Sequence, residues 1–233
     1  MLQLWILTLC LLQDGAAPSD ALFSGPQKGE RVPSFLAIDV TGGRKERVFD
    51  PTKEAGDNLA VYVMFTGPAR PVTRSIANID CIAREINVVA KREKRQGVMV
   101  YYVLLAPDRI EGAARLRHVF TGITPEEPAS IAADGPEGPG NWGLHRKCQL
   151  TVVIAKEGKV LYNLTTTSPG DREDDTIREE LSRVFGHSCT SRPNWARSGE
   201  SPMMGSGMGS SMMQQEMSAS RPASAPSKRP SGV

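Results

Sequence analysis

The sequence predicts an α/β domain: a mixed central sheet flanked by helices, with a β-hairpin added at its N-terminal side. Three observations predict it. Residues 59–65 (Leu-Ala-Val-Tyr-Val-Met-Phe) and 98–106 (Val-Met-Val-Tyr-Tyr-Val-Leu-Leu-Ala) are apolar throughout, without polar alternation, as strands buried on both faces are. Between them Val72, Ile76, Ile79, Ala83 and Ile86 recur at steps of three and four, one face of a helix. Residues 150–155 and 159–165 flank Lys156-Glu157-Gly158, the pattern of a β-hairpin.

The elements follow in order. Residues 30–38 read as an opening loop and a short strand. Thr41-Gly42-Gly43 is a hairpin-type turn, and residues 44–49 return as a second strand. Asp50-Pro51 and Gly56-Asp57-Asn58 are loop signals before the first buried strand. The long helix that follows ends in Lys91, Arg92, Lys94 and Arg95, which complement its dipole, and Gly97 stops it. Residues 109–120 carry a weaker helical pattern. Residues 124–142, rich in Pro, Gly and acids, read as a long loop. Residues 171–185 close the domain as a helix. Asp171, Glu173, Asp174 and Asp175 lie in its first turns, Ile177, Leu181 and Val184 form its stripe, and Gly186 ends it. The predicted order is β-β-β-α-β-α-β-β-α, with helices on both faces of the sheet.

The chain ends differ from this domain. Residues 2–12 are a predominantly apolar run, too short for the ~20 residues a membrane span needs. They suit the core of a signal peptide over residues 1–21, with small residues following at Ala16, Ala17, Ser19 and Ala21. No Lys or Arg precedes the run, so a buried N-terminal strand or helix is the competing reading. Cys10 lies inside the run, which argues against a lipoprotein anchor. Residues 187–233 are dominated by Ser, Pro, Gly, Met and Arg without apolar periodicity. They predict a disordered tail, which leaves residues 23–186 as one domain.

Charge and motifs exclude several functions. The formal net charge is +2, and the tail holds much of the positive excess, so the domain has no basic footprint for nucleic acid. No Gly-rich phosphate loop, Ser–His–Asp signature or paired-cysteine metal spacing occurs, and nothing calls for a cofactor. His118, His145 and His187 are isolated. Asn163-Leu164-Thr165 matches a glycosylation acceptor but falls in a predicted strand.

Three stretches carry a family resemblance. Gly29-Glu-Arg-Val-Pro-Ser-Phe35 looks like a Gly-x-x-x-Pro-x-Phe opening segment. Residues 65–74 align without gaps on an active-site turn, and residues 150–160 look like a closing hairpin. Together they resemble the thioredoxin fold, in its redoxin or peroxiredoxin-like branch. The resemblance implies a Cys-x-x-Cys turn at the start of the long helix, followed by a basic residue. Here the two cysteine positions fall on Arg70 and Thr73, and the basic one on Arg74. Neither Arg70 nor Thr73 can perform thiolate chemistry. The family's cis-proline falls near Leu150, so it too is missing.

Several candidate sites remain. Cys81 lies off the main helical stripe, and Cys148 falls beside the missing proline, near the turn if the resemblance holds. Each is a packing residue or the thiol of a single-cysteine oxidoreductase; a Cys81–Cys148 disulfide is the further alternative in an oxidising compartment. Arg70 and Arg74, with the helix N-terminus, make a candidate anion site. Met203, Met204, Met208, Met212, Met213 and Met217 in the tail are soft ligands suited to copper(I), or bystanders of low complexity. The leading expectation is an exported (periplasmic or secreted) module without redox activity that binds a protein or peptide partner.

Overall fold

The computed structural model describes residues 22–41, 46–67, 69–120, 129–191 and 193. The leader, the turn at Gly42 and Gly43, and the tail methionines lie outside the described residues.

The N-terminal hairpin forms: β1 (Ala37–Asp39) pairs antiparallel with β2 (Val48–Phe49). The Asp50-Pro51 stretch predicted as loop is instead a short helix, α1 (Pro51–Ala55). Asp50 caps it, its carboxylate accepting from the Thr52 and Lys53 amides at 3.0 and 3.2 Å, with Pro51 in the first turn. The signals taken for a loop are those of a helix start.

β3 (Leu59–Phe65) is buried at every position. It pairs in parallel with β4 (Val98–Leu104) over its whole length, from Leu59↔Val98 to Phe65↔Leu104. The crossover is α2 (Arg70–Glu93), whose predicted stripe of Val72, Ile76, Ile79, Ala83 and Ile86 is buried. The helix ends at Lys94 in the left-handed conformation. A Cβ at Gly97 would run into the Asn87 carboxamide, which accepts the Val98 amide at 2.8 Å and ties the helix end to β4.

α3 (Arg109–Val119) follows, capped by Asp108. Then comes β5 (Ala129–Ala132), a strand inside the stretch predicted as loop. Four residues of small and apolar type give no periodicity to read, and only their burial between neighbours makes them a strand. β5 pairs in parallel with β4 and antiparallel with β1. The hairpin of β6 (Leu150–Lys156) and β7 (Lys159–Thr166) adds to the other side of β3 in antiparallel register, Phe65 facing Leu150. α4 (Asp171–Phe185) closes the sequence of elements. The sheet order is β2-β1-β5-β4-β3-β6-β7.

The helices do not divide between the two faces as predicted. Apolar residues of α2, α3 and α4 share one core with alternate strand residues such as Val61, Val63, Tyr102 and Val152. Both parallel crossovers, β3 to β4 and β4 to β5, step in the same direction. Right-handed connections therefore put α2 and α3 on the same face. The opposite face is covered by α1 and by aromatic loops. There Phe35 meets Trp142 edge-on at 5.0 Å, Trp142 meets Tyr62 at 5.7 Å, and Tyr62 stacks on Tyr101 at 5.5 Å. The Trp142 indole donates to the Pro33 carbonyl at 2.9 Å, which holds the opening segment against this core.

The packed chain does not stop at Gly186. Cys189 is buried in the helical-side core. Beyond it, the Glu85 carboxylate on α2 accepts the amides of Thr190 and Ser191 at 2.9 and 2.7 Å. A buried thiol and charge-assisted bonds anchor residues 187–191, a sequence too polar to announce it. Among the described residues no helix is long and apolar enough to cross a membrane.

Candidate functional site

The turn between β3 and α2 lies at the end of the sheet where the parallel strands finish. Leu105 donates its amide to the Phe65 carbonyl at 2.8 Å, and Thr66 donates to the Gln149 carbonyl at 3.2 Å. The turn is thus flanked by the β4–α3 loop and by the chain entering β6. Ligands of open α/β sheets bind at this kind of end.

Ala69 is the N-cap of α2 and offers no side-chain acceptor. The first amides of the helix therefore point outward without a capping oxygen. Arg70 begins the helix and is exposed. Thr73, one turn on, is buried; its amide and its hydroxyl both donate to the Ala69 carbonyl, at 3.1 and 3.4 Å. Its hydroxyl is spent on the helix start. Arg74 turns the other way and ion-pairs with Asp171 at the start of α4. The two arginines proposed as one anion site thus have different surroundings: Arg70 faces solvent, and Arg74 leans on a carboxylate.

Below Arg74, Asp174 is buried between α2 and α4 and accepts from the Asn78 amide at 2.5 Å. Burial pushes its carboxyl above the usual range, against the lowering effect of its hydrogen bonds and of Arg74. The sequence showed Asp174 only as one of four acids suited to a helix N-terminus. Nothing in the pattern separated the buried one from its exposed neighbours.

Cys148 precedes Gln149, whose carbonyl accepts the Thr66 amide of the turn. Its thiol is buried. Burial raises its pKa, only partly offset by a hydrogen bond with Ser24. Ser24 is itself buried, bonded to the Thr151 hydroxyl at 2.9 Å and to the His145 amide at 3.0 Å. Thr151 alternates with Leu150 and Val152, so this cluster belongs to the face opposite α2. Cys81 lies half-buried on the outer side of α2. Cys81, Cys148 and Cys189 are not disulfide-bonded, so the alternative of a Cys81–Cys148 bridge is not formed: the two lie on different sides of the molecule.

Among the described residues no cluster of three or more His, Cys, Asp or Glu could hold a metal. His118 and His145 are exposed, and His187 pairs with Glu85 at 3.6 Å. The Asn163 amide donates to the carbonyls of Ser24 and Pro26 at 2.9 and 2.8 Å, so this glycosylation-type sequence is engaged in the fold.

The central four strands, read in chain order, decide the architecture. β3 and β4 are parallel and joined by α2; β6 and β7 form an antiparallel hairpin followed by α4; and β6 lies beside β3. The fold is thioredoxin-like. β1, β2 and β5 extend the sheet beyond β4.

No protein-family model matches the sequence, and no curated protein matches it. Solved structures do. A Chlorobium tepidum protein named as a thiol:disulfide interchange protein DsbE is 16% identical, covering 69% of this chain and 99% of its own, with a TM-score of 0.48. A Bacteroides thetaiotaomicron protein named as a protein disulfide isomerase is 15% identical over 71% of this chain and 96% of its own, TM-score 0.49. The exposed lipoprotein thioredoxin Etrx1 from Streptococcus pneumoniae is 16% identical over 65% and 99%, TM-score 0.43. The fold assignment rests on the strand order rather than on these likenesses. In the thioredoxin-like frame, Arg70 and Thr73 begin the helix that follows the first central strand, and the Gln149 carbonyl faces the turn.

Proposed function

We propose that this chain is an exported thioredoxin-fold module that binds a protein or peptide partner at the turn face and performs no dithiol chemistry there. The observation that carries this reading is the chemistry of the α2 start. It offers an exposed guanidinium, uncapped amides and a hydroxyl already bonded to Ala69, but no sulfur. Thiol exchange needs an accessible thiolate of low pKa. The nearest thiol in sequence register, Cys148, is buried and shifted the opposite way. At the same end of the sheet, Ile110 in the first turn of α3 is 85% exposed, an apolar contact available to a partner. The leader-like residues 1–21 support export.

The test is enzymatic. Purified protein is expected neither to reduce insulin nor to consume peroxide above background, and Cys148→Ser is expected to change nothing. Turnover that Cys148→Ser abolishes would overturn this reading in favour of a single-cysteine oxidoreductase.

A further inference from the structure

The end of the sheet away from the turn carries a row of like charges. β6 starts opposite Phe65, passes Ala60 and ends at Lys156. Glu157 and Gly158 form the two-residue loop to β7, with φ of 54° and 67°. Positive φ at both central residues is the type I′ hairpin turn, which sets its flanking residues directly opposite each other. Those residues are Lys156 and Lys159.

The opening segment extends the row. Val32 donates its amide to the Gly158 carbonyl, and Val160 donates to the Glu30 carbonyl, both at 2.9 Å. Arg31 is thereby paired antiparallel with Lys159. The two bonds flank this pair rather than join it, and in pairs of that kind the side chains lie closer together. Directly opposed residues share a face, so Lys156, Lys159 and Arg31 stand side by side across three strands. At ~4.8 Å between neighbouring strands, the row spans about 10 Å.

Like charges directly opposite each other are destabilising. Among the described residues no ion pair joins Arg31, Lys156 or Lys159 to a carboxylate. The Glu30 carboxylate accepts the Gln27 amide at 2.7 Å. The three cations, with Gly29, Glu157 and Leu161, line a groove of about 500 Å³. Glu157 is the acid among these lining residues, so two positive charges are left over. Leu161 is the bulge residue of β7, between the partners of Ile154 and Ala155, and is half-buried. It gives the groove an apolar wall.

We propose that this groove binds the dianionic phosphoryl group of a phosphorylated ligand. Arg31 forks two of its oxygens, Lys159 and Lys156 donate to the others, and the organic part of the ligand rests on Leu161. A planar guanidinium matches phosphate bidentately, and an ammonium acts as a point charge beside it. A carboxylate brings one negative charge, whereas a phosphate monoester brings close to two, which matches the excess. Binding relieves the repulsion along the row. The groove lies at the opposite end of β3 from the turn, so this inference stands apart from the function proposed there.

Pyrophosphate titrated into the full chain by calorimetry tests this. Arg31→Gln and Lys159→Gln are each expected to weaken binding about tenfold. Lys147→Gln removes the same charge from an exposed position elsewhere and is expected to keep the native affinity. Without ligand, Lys159→Gln is expected to melt about 1–3 °C higher than the native chain, because it breaks the row at its centre. Mixed phosphatidylcholine–phosphatidic acid vesicles form a second arm. Co-sedimentation that Lys159→Gln abolishes puts the phosphoryl group on a lipid; pyrophosphate binding without co-sedimentation puts it on a soluble ligand. Binding of neither probe, or unchanged binding in Arg31→Gln and Lys159→Gln, overturns the proposal. An equal loss in Lys147→Gln overturns it as well, since the binding would then follow net charge alone.

Discussion

Asn78 on α2 donates a 2.5 Å hydrogen bond to the buried carboxylate of Asp174 on α4. One turn toward the start of α2, Arg74 ion-pairs with Asp171, one turn back along α4. The two contacts form a polar seam that fixes the start of α2 against α4. The orientation of the turn carrying Arg70 and Thr73 therefore depends on residues ~100 positions away, brought near by the hairpin between them.

This seam predicts a pH dependence. The folded pKa of Asp174 is raised by burial. Its contribution to stability is therefore fully present below the unfolded pKa and is lost as pH rises through the folded value. Asp174→Asn, which keeps an acceptor for Asn78 without the charge, is expected to be more stable than the native chain at pH 8 and not at pH 3. Asp174→Ala leaves Asn78 unsatisfied and is expected to cost about 1–3 kcal/mol at acid pH. Urea unfolding at both pH values measures each.

Cys148 is expected to behave as a poor nucleophile. Because burial raises its pKa, its alkylation rate should still be climbing above pH 9 in the folded protein, while unfolded protein titrates near an ordinary thiol. Ser24→Ala removes the bond that opposes this shift, and also the acceptor of the His145 amide. It should push the thiol pKa further up and cost about 1 kcal/mol. A Cys148 rate that levels off below pH 7 would contradict the assignment.

Glu85 is expected to hold the C-terminal strap. Partial burial works against its charge, but the bonds from Ser191 and Thr190 and the nearby His187 bring its pKa below the ordinary value. That stability is present above the unfolded pKa and is lost as pH falls through the folded one. Glu85→Ala should cost about 1.5–3 kcal/mol in strap stability at neutral pH. Hydrogen exchange reads it directly: protection of the Thr190 and Ser191 amides should collapse while that of the β3 amides stays.

Gly112 on α3 is expected to be intolerant of a side chain. A Cβ there would lie 2.8 Å from the Ile131 side chain and 2.9 Å from that of Ala106. Gly112→Ala raises helix propensity but overpacks the contact of α3 with β5. The expected net is a loss of about 1–3 kcal/mol, seen as a lower denaturation midpoint at unchanged slope.

The helix that carries the candidate site was legible because its cause is local. The stripe from Val72 to Ile86 and the uniform apolar run of β3 are periodicities, and periodicity survives in one dimension. The thiol-free turn was legible for the same reason: Arg70 and Thr73 follow the strand at fixed spacing. β5 was not legible, because Ala-Ser-Ile-Ala has no pattern until β4 and β1 flank it. The strap was not legible either. Its polar residues are held by Glu85, a hundred positions earlier, and local composition carries no record of such a partner.

By itself the sequence determined the long helices, the strands other than β5 with their order along the chain, and the residues that begin α2. Those depend on apolar spacing, turn chemistry and capping, all encoded within a few neighbours. Only the tertiary structure decided which polar groups are buried and what they face. It placed Asp174 in the interior but Asp175 outside, turned Arg74 from the open turn to Asp171, and enclosed the Cys148 thiol beside Ser24. Burial and partner choice set the protonation and reactivity of these groups, and both arise from contacts between segments far apart in the chain.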